Sequence, residues 1–156
     1  MTISEKGLDN LIVWKKAVEL VQLIYQDIIE KLPADERWSL TQQLRRSSLS
    51  IPANIAEGYG RFNYQDNVRF CYIARGSLEE TYSHIKVATA LGYIKPVDTS
   101  KVDPALDELK KILNGYIHFI KKSKQGELVS DMEHKQHIKE EQNAYLGSFY
   151  EDELDE

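Results

Sequence analysis

Residues 44–58 read LRRSSLSIPANIAEG, and this stretch decides the fold. Its apolar residues recur at steps of three and four, which predicts a helix that continues through Pro52. A proline inside a helix removes one backbone donor and presses on the carbonyl group four residues earlier, at a cost of about 3 kcal/mol. We therefore predict one long helix with a bend at Pro52, where nearby serine hydroxyls serve the freed carbonyl groups.

Amphipathic patterns predict four helices, over residues 11–32, 35–58, 63–91 and 103–120. Asn63 and Asp103 are predicted N-caps. Gly58 and Gly60 are predicted to end the second helix in the left-handed conformation, and Gly92 to close the third. Four apolar stripes joined by short loops predict an all-α, antiparallel up-down-up-down four-helix bundle. We expect residues 1–123 to form this bundle domain.

Each predicted helix has an apolar stripe that we expect to face the core. On the first helix the stripe is Trp14, Ala17, Val18, Val21, Tyr25, Ile28 and Leu32. On the second it is Leu40, Leu44, Ser47, Ser48, Ile51 and Ile55, and on the third Phe70, Ala74, Ser77, Thr81, Ile85 and Ala88. On the fourth it is Val102, Leu106, Leu109, Leu113, Tyr116, Ile117 and Ile120.

The charge is unevenly distributed along the chain. Residues 1–123 contain 17 Lys and Arg against 15 Asp and Glu, whereas residues 124–156 contain 3 against 10. The overall charge of −5 is therefore a property of the C-terminal tail. Few residues of this tail are apolar, so we expect it to be flexible or to dock on a partner rather than to pack as part of the bundle.

The first two helices have more apolar surface than a single bundle needs. The residues that lie off the predicted core stripes are Leu20 and Leu23 on the first helix and Leu49, Ala53 and Ala56 on the second. Surplus apolar surface of this kind indicates a second interface, although scattered surface hydrophobic residues are also normal. We expect self-association into a homo-oligomer.

The second helix also has a polar stripe, consisting of Gln43, Arg46, Ser50, Asn54 and Glu57. One interpretation is a polar site at a helix seam or a ring channel. The other, which we favour, is a structural hydrogen-bond network around Pro52 with Glu57 paired to an arginine. The motif residues that we single out for a structural role are Ser50, Pro52, Asn54, Glu57, Gly58, Gly76 and Ser77.

Arginines and aromatic residues form a candidate nucleic-acid surface. The set is Arg37, Arg45, Arg46, Arg61, Arg69 and Arg75, with Tyr59, Phe62 and Tyr64 in the turn between the second and third helices. Guanidinium groups bind phosphates, and aromatic rings stack on unpaired bases. The alternative is a solvated charged face with pairs within a helix, such as Arg75 to Glu79.

The sequence offers little for catalysis. Cys71 is the single cysteine, so no internal disulfide can form and a cytoplasmic location is expected. His134 and His137 have a metal-like spacing but lie in the tail. We find no signal peptide, no membrane-spanning run, and no metal or cofactor site, and we expect the protein not to be an enzyme.

Several quoted stretches resemble one family. Residues 50–58 are similar to the signature of the bacterial 23S rRNA intervening-sequence proteins, and further matches are residues 14–17, 43–46, 74–81 and 91–94. This resemblance covers residues 8–122. A more distant resemblance is to the accessory proteins of diversity-generating retroelements. The resemblance to the 23S rRNA intervening-sequence proteins implies a four-helix bundle, a ring-shaped homo-oligomer, typically a pentamer, and an association with ribosomal RNA.

From the residues and the resemblance together, we expect a non-enzymatic, homo-oligomeric binding or scaffold protein that contacts structured RNA. The alternative is a protein-interaction adaptor, such as a reverse-transcriptase accessory protein. An uncharacterised enzyme is the third possibility.

Overall fold

The computed structural model describes residues 7–123, which are helical and contain no strand. Four long helices are present: α1 (Ile12–Leu23), α2 (Leu40–Gly60), α3 (Tyr64–Ala90) and α4 (Val102–Lys122). This confirms the all-α prediction with four helices. The predictions about the acidic tail, residues 124–156, fall outside the described residues.

The segment after α1 stays helical but changes its winding. A π turn covers Ile24–Ile28, and a 3-10 turn covers Ile29–Lys31. A π turn holds about one residue more than an α-helical turn. The predicted helix over residues 11–32 is therefore helical along most of its length, but it is not one regular α-helix.

The π turn explains why the predicted core face of α1 is wrong. The side chains buried here are Leu11, Val13, Ala17, Leu20, Ile24, Ile28 and Ile29, whereas Trp14, Val18, Val21, Tyr25 and Leu32 are only partly buried. In a regular helix that buries Ile28, the core stripe would pass through positions 25, 21 and 14. One extra residue in the π turn moves the stripe back by one position, to 24, 20 and 13.

The predicted core stripes of the other helices are largely correct. All seven residues predicted on α4 are buried, as are Leu44, Ser47, Ser48, Ile51 and Ile55 on α2. On α3 the buried residues are Ala74, Ser77, Thr81, Ile85 and Ala88, while Phe70 is partly exposed. On these three helices most of the buried residues lie on the face that the sequence predicts.

The second helix begins later than predicted. Residues Ala34–Trp38 form a separate 3-10 turn, and Ser39 has an irregular backbone that breaks the helix. Glu36 compensates for the missing side-chain cap. Its carboxylate accepts hydrogen bonds from the Leu40 backbone N–H, at 3.2 Å, and from the Ser39 hydroxyl. The Tyr93 hydroxyl donates to the same carboxylate at 2.8 Å, which ties this turn to the loop after α3.

Pro52 lies inside α2, which continues for eight residues beyond it. The prediction that the helix does not end at Pro52 is confirmed. The end of α2 differs from the prediction, because Gly58 and Gly60 do not adopt the left-handed conformation and the chain leaves through an extended Arg61.

The ends of α3 agree with the prediction. The Asn63 side chain accepts a hydrogen bond from the Gln65 N–H at 2.8 Å, as an N-cap does. Gly92 has a φ of 75°, and the N–H groups of Gly92 and Tyr93 donate to the carbonyls of Thr89 and Ala88. This is the Schellman arrangement, which only glycine enters without strain. At α4 the prediction is wrong by two residues, since Lys101 is the N-cap and Asp103 lies in the first turn.

Each helix contacts its neighbours along the chain, and α4 also contacts α1. Between α2 and α3, Ser47 meets Thr81 and Ser50 meets Ser77. Between α3 and α4, Asn67 meets Tyr116 and Glu79 pairs with Lys110. Lys16 of α1 lies 3.6 Å from Glu108 of α4.

Two carboxylates that join the loops at one end of the structure make it sensitive to acid. Hydrogen bonds from Ser39, Tyr93 and the Leu40 N–H lower the pKa of Glu36, and Lys31 together with the Lys95 N–H lowers the pKa of Asp98. A carboxylate whose pKa is lower in the folded state stabilises the fold above its ordinary pKa. That contribution is lost as the pH falls through the folded-state pKa.

We therefore expect the free energy of unfolding to fall as the pH is lowered below about 4.5, the ordinary pKa of Glu36. Glu36→Gln should make this fall shallower, because the variant has no carboxylate to protonate at this position. Urea denaturation at several pH values measures the slope, with Glu30→Gln, an exposed glutamate nearby, as the control. Equal slopes in wild type and Glu36→Gln would contradict the prediction.

Candidate functional site

Small polar side chains fill the seam between α2 and α3. The Ser50 and Ser77 hydroxyl oxygens lie 2.9 Å apart, and the Asn54 amide donates to the Ser50 carbonyl at 2.8 Å. Deeper in the seam, the Thr81 and Ser47 hydroxyl oxygens lie 2.9 Å apart, and both residues are buried. Ser50 and Asn54 thus direct their polar groups at helix backbone and at the neighbouring helix. This geometry favours the structural interpretation of the motif.

The remaining polar residues of α2 are more exposed. Gln43 and Arg46 lie on the surface, and Glu57 forms an ion pair with Arg61 one turn later. The pairing of Glu57 with an arginine is the one that the structural interpretation predicts. Gln43, Arg46 and Glu57 therefore belong to the outer face of α2, separate from the buried hydroxyls.

Among the described glycines, Gly58 has the closest contacts with a neighbouring helix, α3. A Cβ atom added to Gly58 would lie 2.7 Å from Asn67 Oδ1, 3.0 Å from the Asn67 carbonyl oxygen and 3.0 Å from Phe70 Cβ. The role of Gly58 is therefore close packing of two helices rather than helix termination. Gly76 differs, since nothing would lie within 4 Å of its Cβ, and no contact within residues 7–123 explains it.

Asn67 connects Gly58 to the core of α4. Its amide nitrogen lies 3.4 Å from the Tyr116 hydroxyl, and Tyr116 is fully buried. Burial raises the pKa of Tyr116, so the phenol stays protonated at neutral pH. Sequence reasoning placed Tyr116 in the core but missed Asn67, because a polar residue on the third helix gives no signal of its partner.

The six candidate arginines lie at different edges and ends of the structure. Arg45 lies over the Tyr25 ring in the π turn after α1, whereas Arg75 donates to Asn114 of α4 at 3.2 Å. Arg37 stacks on Trp38 before α2 begins, and Arg61 lies over Phe70 near the end of α2. Arg46 and Arg69 are exposed on α2 and α3. The structure does not gather these arginines into one cluster. Arg75 forms a hydrogen bond with Asn114 instead of the ion pair with Glu79 that the alternative interpretation predicts.

The three candidate stacking residues have different environments. Tyr59 is 8% exposed, and burial raises its pKa to about 12, so its selection as a base-stacking residue is wrong. Tyr64 packs partly against the core. Phe62 is 71% exposed and stays a candidate for an external contact.

An apolar band follows the outer edge shared by α1 and α2. It consists of Trp14, Val18 and Val21 of α1 with Tyr25 of the following π turn, all partly buried, and of Leu49, Pro52, Ala53 and Ala56 of α2. Trp14 and Tyr25 also pack partly against the core. Arg45 of α2 lies over Tyr25, so the two halves of the band run along neighbouring helices. Leu49 is 49% exposed. Leu20 is fully buried, so its selection as an interface residue is wrong, and Leu23 packs partly against the core.

Residues 7–123 contain one cysteine and two histidines among their reactive groups. Cys71 is buried, and desolvation raises the pKa of its thiol to about 12, which keeps it protonated at neutral pH. Within the described part of the chain, no three His, Cys, Asp or Glu side chains converge as metal ligands. No helix there has the length and apolarity to cross a membrane. His134 and His137 lie outside the described residues.

A shallow cavity of about 180 Å³ lies between α3 and α4. Its lining residues are Leu78, Glu79, Tyr82, Leu106, Asp107 and Lys110. Pockets for small molecules usually measure about 300–1,000 Å³, so this cavity is small for a metabolite site. In addition, the Glu79–Lys110 ion pair forms part of the cavity wall.

Comparison with known proteins connects this geometry to one family. The family model described as "23S rRNA-intervening sequence protein" matches residues 9–115, which is more than half of the chain. The matched range includes α1, α2 and α3 completely, and most of α4. No curated protein shows a significant match.

Proposed function

The chain belongs to the 23S rRNA-intervening sequence protein family, and we propose that it acts as a non-enzymatic, homo-oligomeric scaffold that contacts structured RNA. The observation that carries the proposal is the apolar band of α1 and α2. A band of this kind favours an interaction surface, because apolar side chains that stay partly exposed gain free energy when a partner covers them. A cytoplasmic location is part of the proposal, supported by the single, buried Cys71.

The partner proposed for this band is a second copy of the chain, in a cyclic assembly that is a pentamer. Leu49, Ala53 and Ala56 are small or aliphatic and lie on one face of a long helix, which suits close helix-to-helix packing between copies. Within each copy, the proposed arrangement is the antiparallel up-down-up-down bundle. It is supported by contacts in which residue numbers rise on one helix and fall on its neighbour, such as Ser47–Thr81 and Ser50–Ser77.

Introducing a charge into the band should dissociate the assembly. We expect wild type to scatter light with a mass several times 18.0 kDa at micromolar concentration. Ala53→Arg should reduce the mass to that of a monomer, because a buried charge without a partner costs several kcal/mol. Ala90→Arg, an equally exposed alanine at the end of α3, is the matched control and should keep the wild-type mass. A monomeric wild type would contradict the proposal.

RNA contact is proposed on two grounds. The family description names 23S rRNA, and α2 has two exposed arginines, Arg45 and Arg46, that point to adjoining faces of the helix. Arginine side chains bind phosphate oxygens without regard to sequence, and each such contact makes binding weaker at higher salt. In a cyclic assembly, every copy contributes these two arginines, so several weak phosphate contacts act together and increase the affinity for RNA.

Removing both arginines should weaken RNA binding and flatten its salt dependence. In titrations with 23S rRNA fragments, Arg45→Ala with Arg46→Ala should lower the slope of log K against log salt by about 0.7–0.9 for each phosphate that the variant no longer neutralises. Lys15→Ala with Lys101→Ala removes the same charge from other exposed positions and serves as the control. The RNA proposal fails if wild type binds no rRNA fragment at low salt.

A protein-interaction adaptor is the second candidate function. Trp38 and Val97 are 77% and 72% exposed, and the Glu36–Tyr93 hydrogen bond brings their two segments together at one end of the structure. Exposed aromatic and aliphatic side chains favour a protein partner over a phosphate backbone. A chain that fails to bind RNA but keeps its oligomeric mass would make the adaptor the leading interpretation.

A further inference from the structure

Two cations from different helices share one aromatic ring at the α3/α4 edge. The Arg75 guanidinium carbon lies 5.0 Å and the Lys121 Nζ 4.9 Å from the centre of the Tyr72 ring, which is 38% exposed. Arg75 also donates to Asn114 Oδ1 at 3.2 Å. We call these four residues the two-cation seam. The ring and the amide hold both charges in place without neutralising them.

Two other cations of α3 and α4 have carboxylate partners. Lys110 pairs with Glu79, and Lys86, which lies over the Tyr82 ring, is 4.0 Å from Asp103. Arg75 and Lys121, in contrast, form no ion pair with any carboxylate of residues 7–123. Two like charges near one ring repel each other, and an anion bound next to them relieves this repulsion. The seam is therefore built to accept an anionic group.

We propose that the two-cation seam binds carboxylates of this chain's own acidic C-terminal segment, residues 140–156. This segment contains seven Asp and Glu and no Lys or Arg. It is tethered next to the seam, since α4 ends at Lys122, one residue after Lys121. Tethering raises the effective concentration of the segment to the millimolar range, which allows weak ion pairs to be occupied. The acidic segment thus neutralises a basic edge of its own bundle.

The observations favour this segment over RNA as the occupant. Nucleic-acid binding draws on an array of cations spaced along a phosphate backbone. Within α3 and α4, the next cations toward the cavity are Lys110 and Lys86, and both already have carboxylate partners. The two cations of the seam, beside the Asn114 amide, match the charge of one or two carboxylates.

Zero-length carbodiimide cross-linking of the full-length protein tests the proposal, because it joins a lysine amine only to a carboxylate in direct contact. Peptide mapping should find Lys121 joined to residues 140–156 more often than Lys122 or Lys124, which are tethered at least as close. Arg75→Gln should reduce the Lys121 cross-link about two- to fivefold, as expected for the removal of one exposed ion pair. Lys86→Gln, the matched cation over Tyr82, should leave it unchanged.

Salt provides a measurement that needs no variant. Raising the ionic strength from about 0.1 M to about 1 M shortens the screening length from about 10 Å to about 3 Å, and the Lys121 cross-link should decline while those of tethered Lys124 persist. The proposal is overturned if Lys121, Lys122 and Lys124 react alike, or if mixed isotope labels show that the cross-link joins two copies. It is also overturned if Arg75→Gln weakens rRNA binding and leaves the cross-link intact.

Discussion

Gly58→Ala is expected to lower the free energy of unfolding by about 1–3 kcal/mol, the usual cost of overpacking a tight site. The new methyl group would lie 3.0 Å from the Asn67 carbonyl oxygen and 3.0 Å from Phe70 Cβ. The Asn67 amide can rotate away, but these backbone and Cβ atoms move only if α2 and α3 separate. Urea denaturation at equal protein concentration measures the change.

Gly76→Ala is the matched control for this substitution. Gly76 is also inside a helix, but nothing would lie within 4 Å of its Cβ, and the residue is exposed. Alanine at an open helix position is more favourable than glycine by about 0.5–1 kcal/mol. The two substitutions should therefore change stability in opposite directions. A stabilising Gly58→Ala would show that α2 and α3 are further apart than the Gly58–Asn67 approach indicates.

Leu44→Ala should have the largest effect on stability, a decrease of about 2–5 kcal/mol, because it leaves a cavity in a close-packed core. Leu44 is fully buried, whereas Leu49 on the same helix is 49% exposed. Leu49→Ala should therefore change the stability of the monomer by no more than about 0.5 kcal/mol. The leucine-to-alanine substitution should thus lower stability strongly on the buried face of α2 and hardly at all on its exposed face.

Protein concentration separates the two roles of these leucines. At micromolar concentration, Leu49→Ala should reduce the oligomeric mass in light scattering, while Leu44→Ala should mainly lower the midpoint of urea unfolding. An equal decrease of stability for both variants in dilute solution would mean that α2 is rotated differently about its axis.

The extent to which sequence predicted this fold depends on how clearly each helix shows a single apolar face. On α4 the aliphatic residues form one continuous stripe, and all the predicted core residues are buried. On α1 almost all positions near the core are apolar, so two faces compete. The π turn then decides between them through a backbone hydrogen-bond pattern that side-chain spacing does not encode.

The candidate sites were harder to predict, because they depend on contacts between helices. Glycine at position 58 is compatible with a helix end and with a close helix crossing, and only the position of Asn67 on α3 distinguishes them. The arginines cluster in sequence, but Arg45 contacts the π turn after α1 and Arg75 contacts α4. A shared stretch of sequence does not imply a shared surface when about 100° of helix rotation separates consecutive residues.

The π turn after α1 also bears on how this chain can change by insertion and deletion. The turn already stores one residue more than a regular helix requires. Removing one residue from Ile24–Ile28 would therefore restore α-helical winding instead of breaking the helix. The part of α1 before the turn would rotate by about 100° relative to the rest. Val21 and Trp14 would then turn inward and Leu20 outward, so deletion of a single residue would exchange the core face of α1 with the face that contributes to the apolar band.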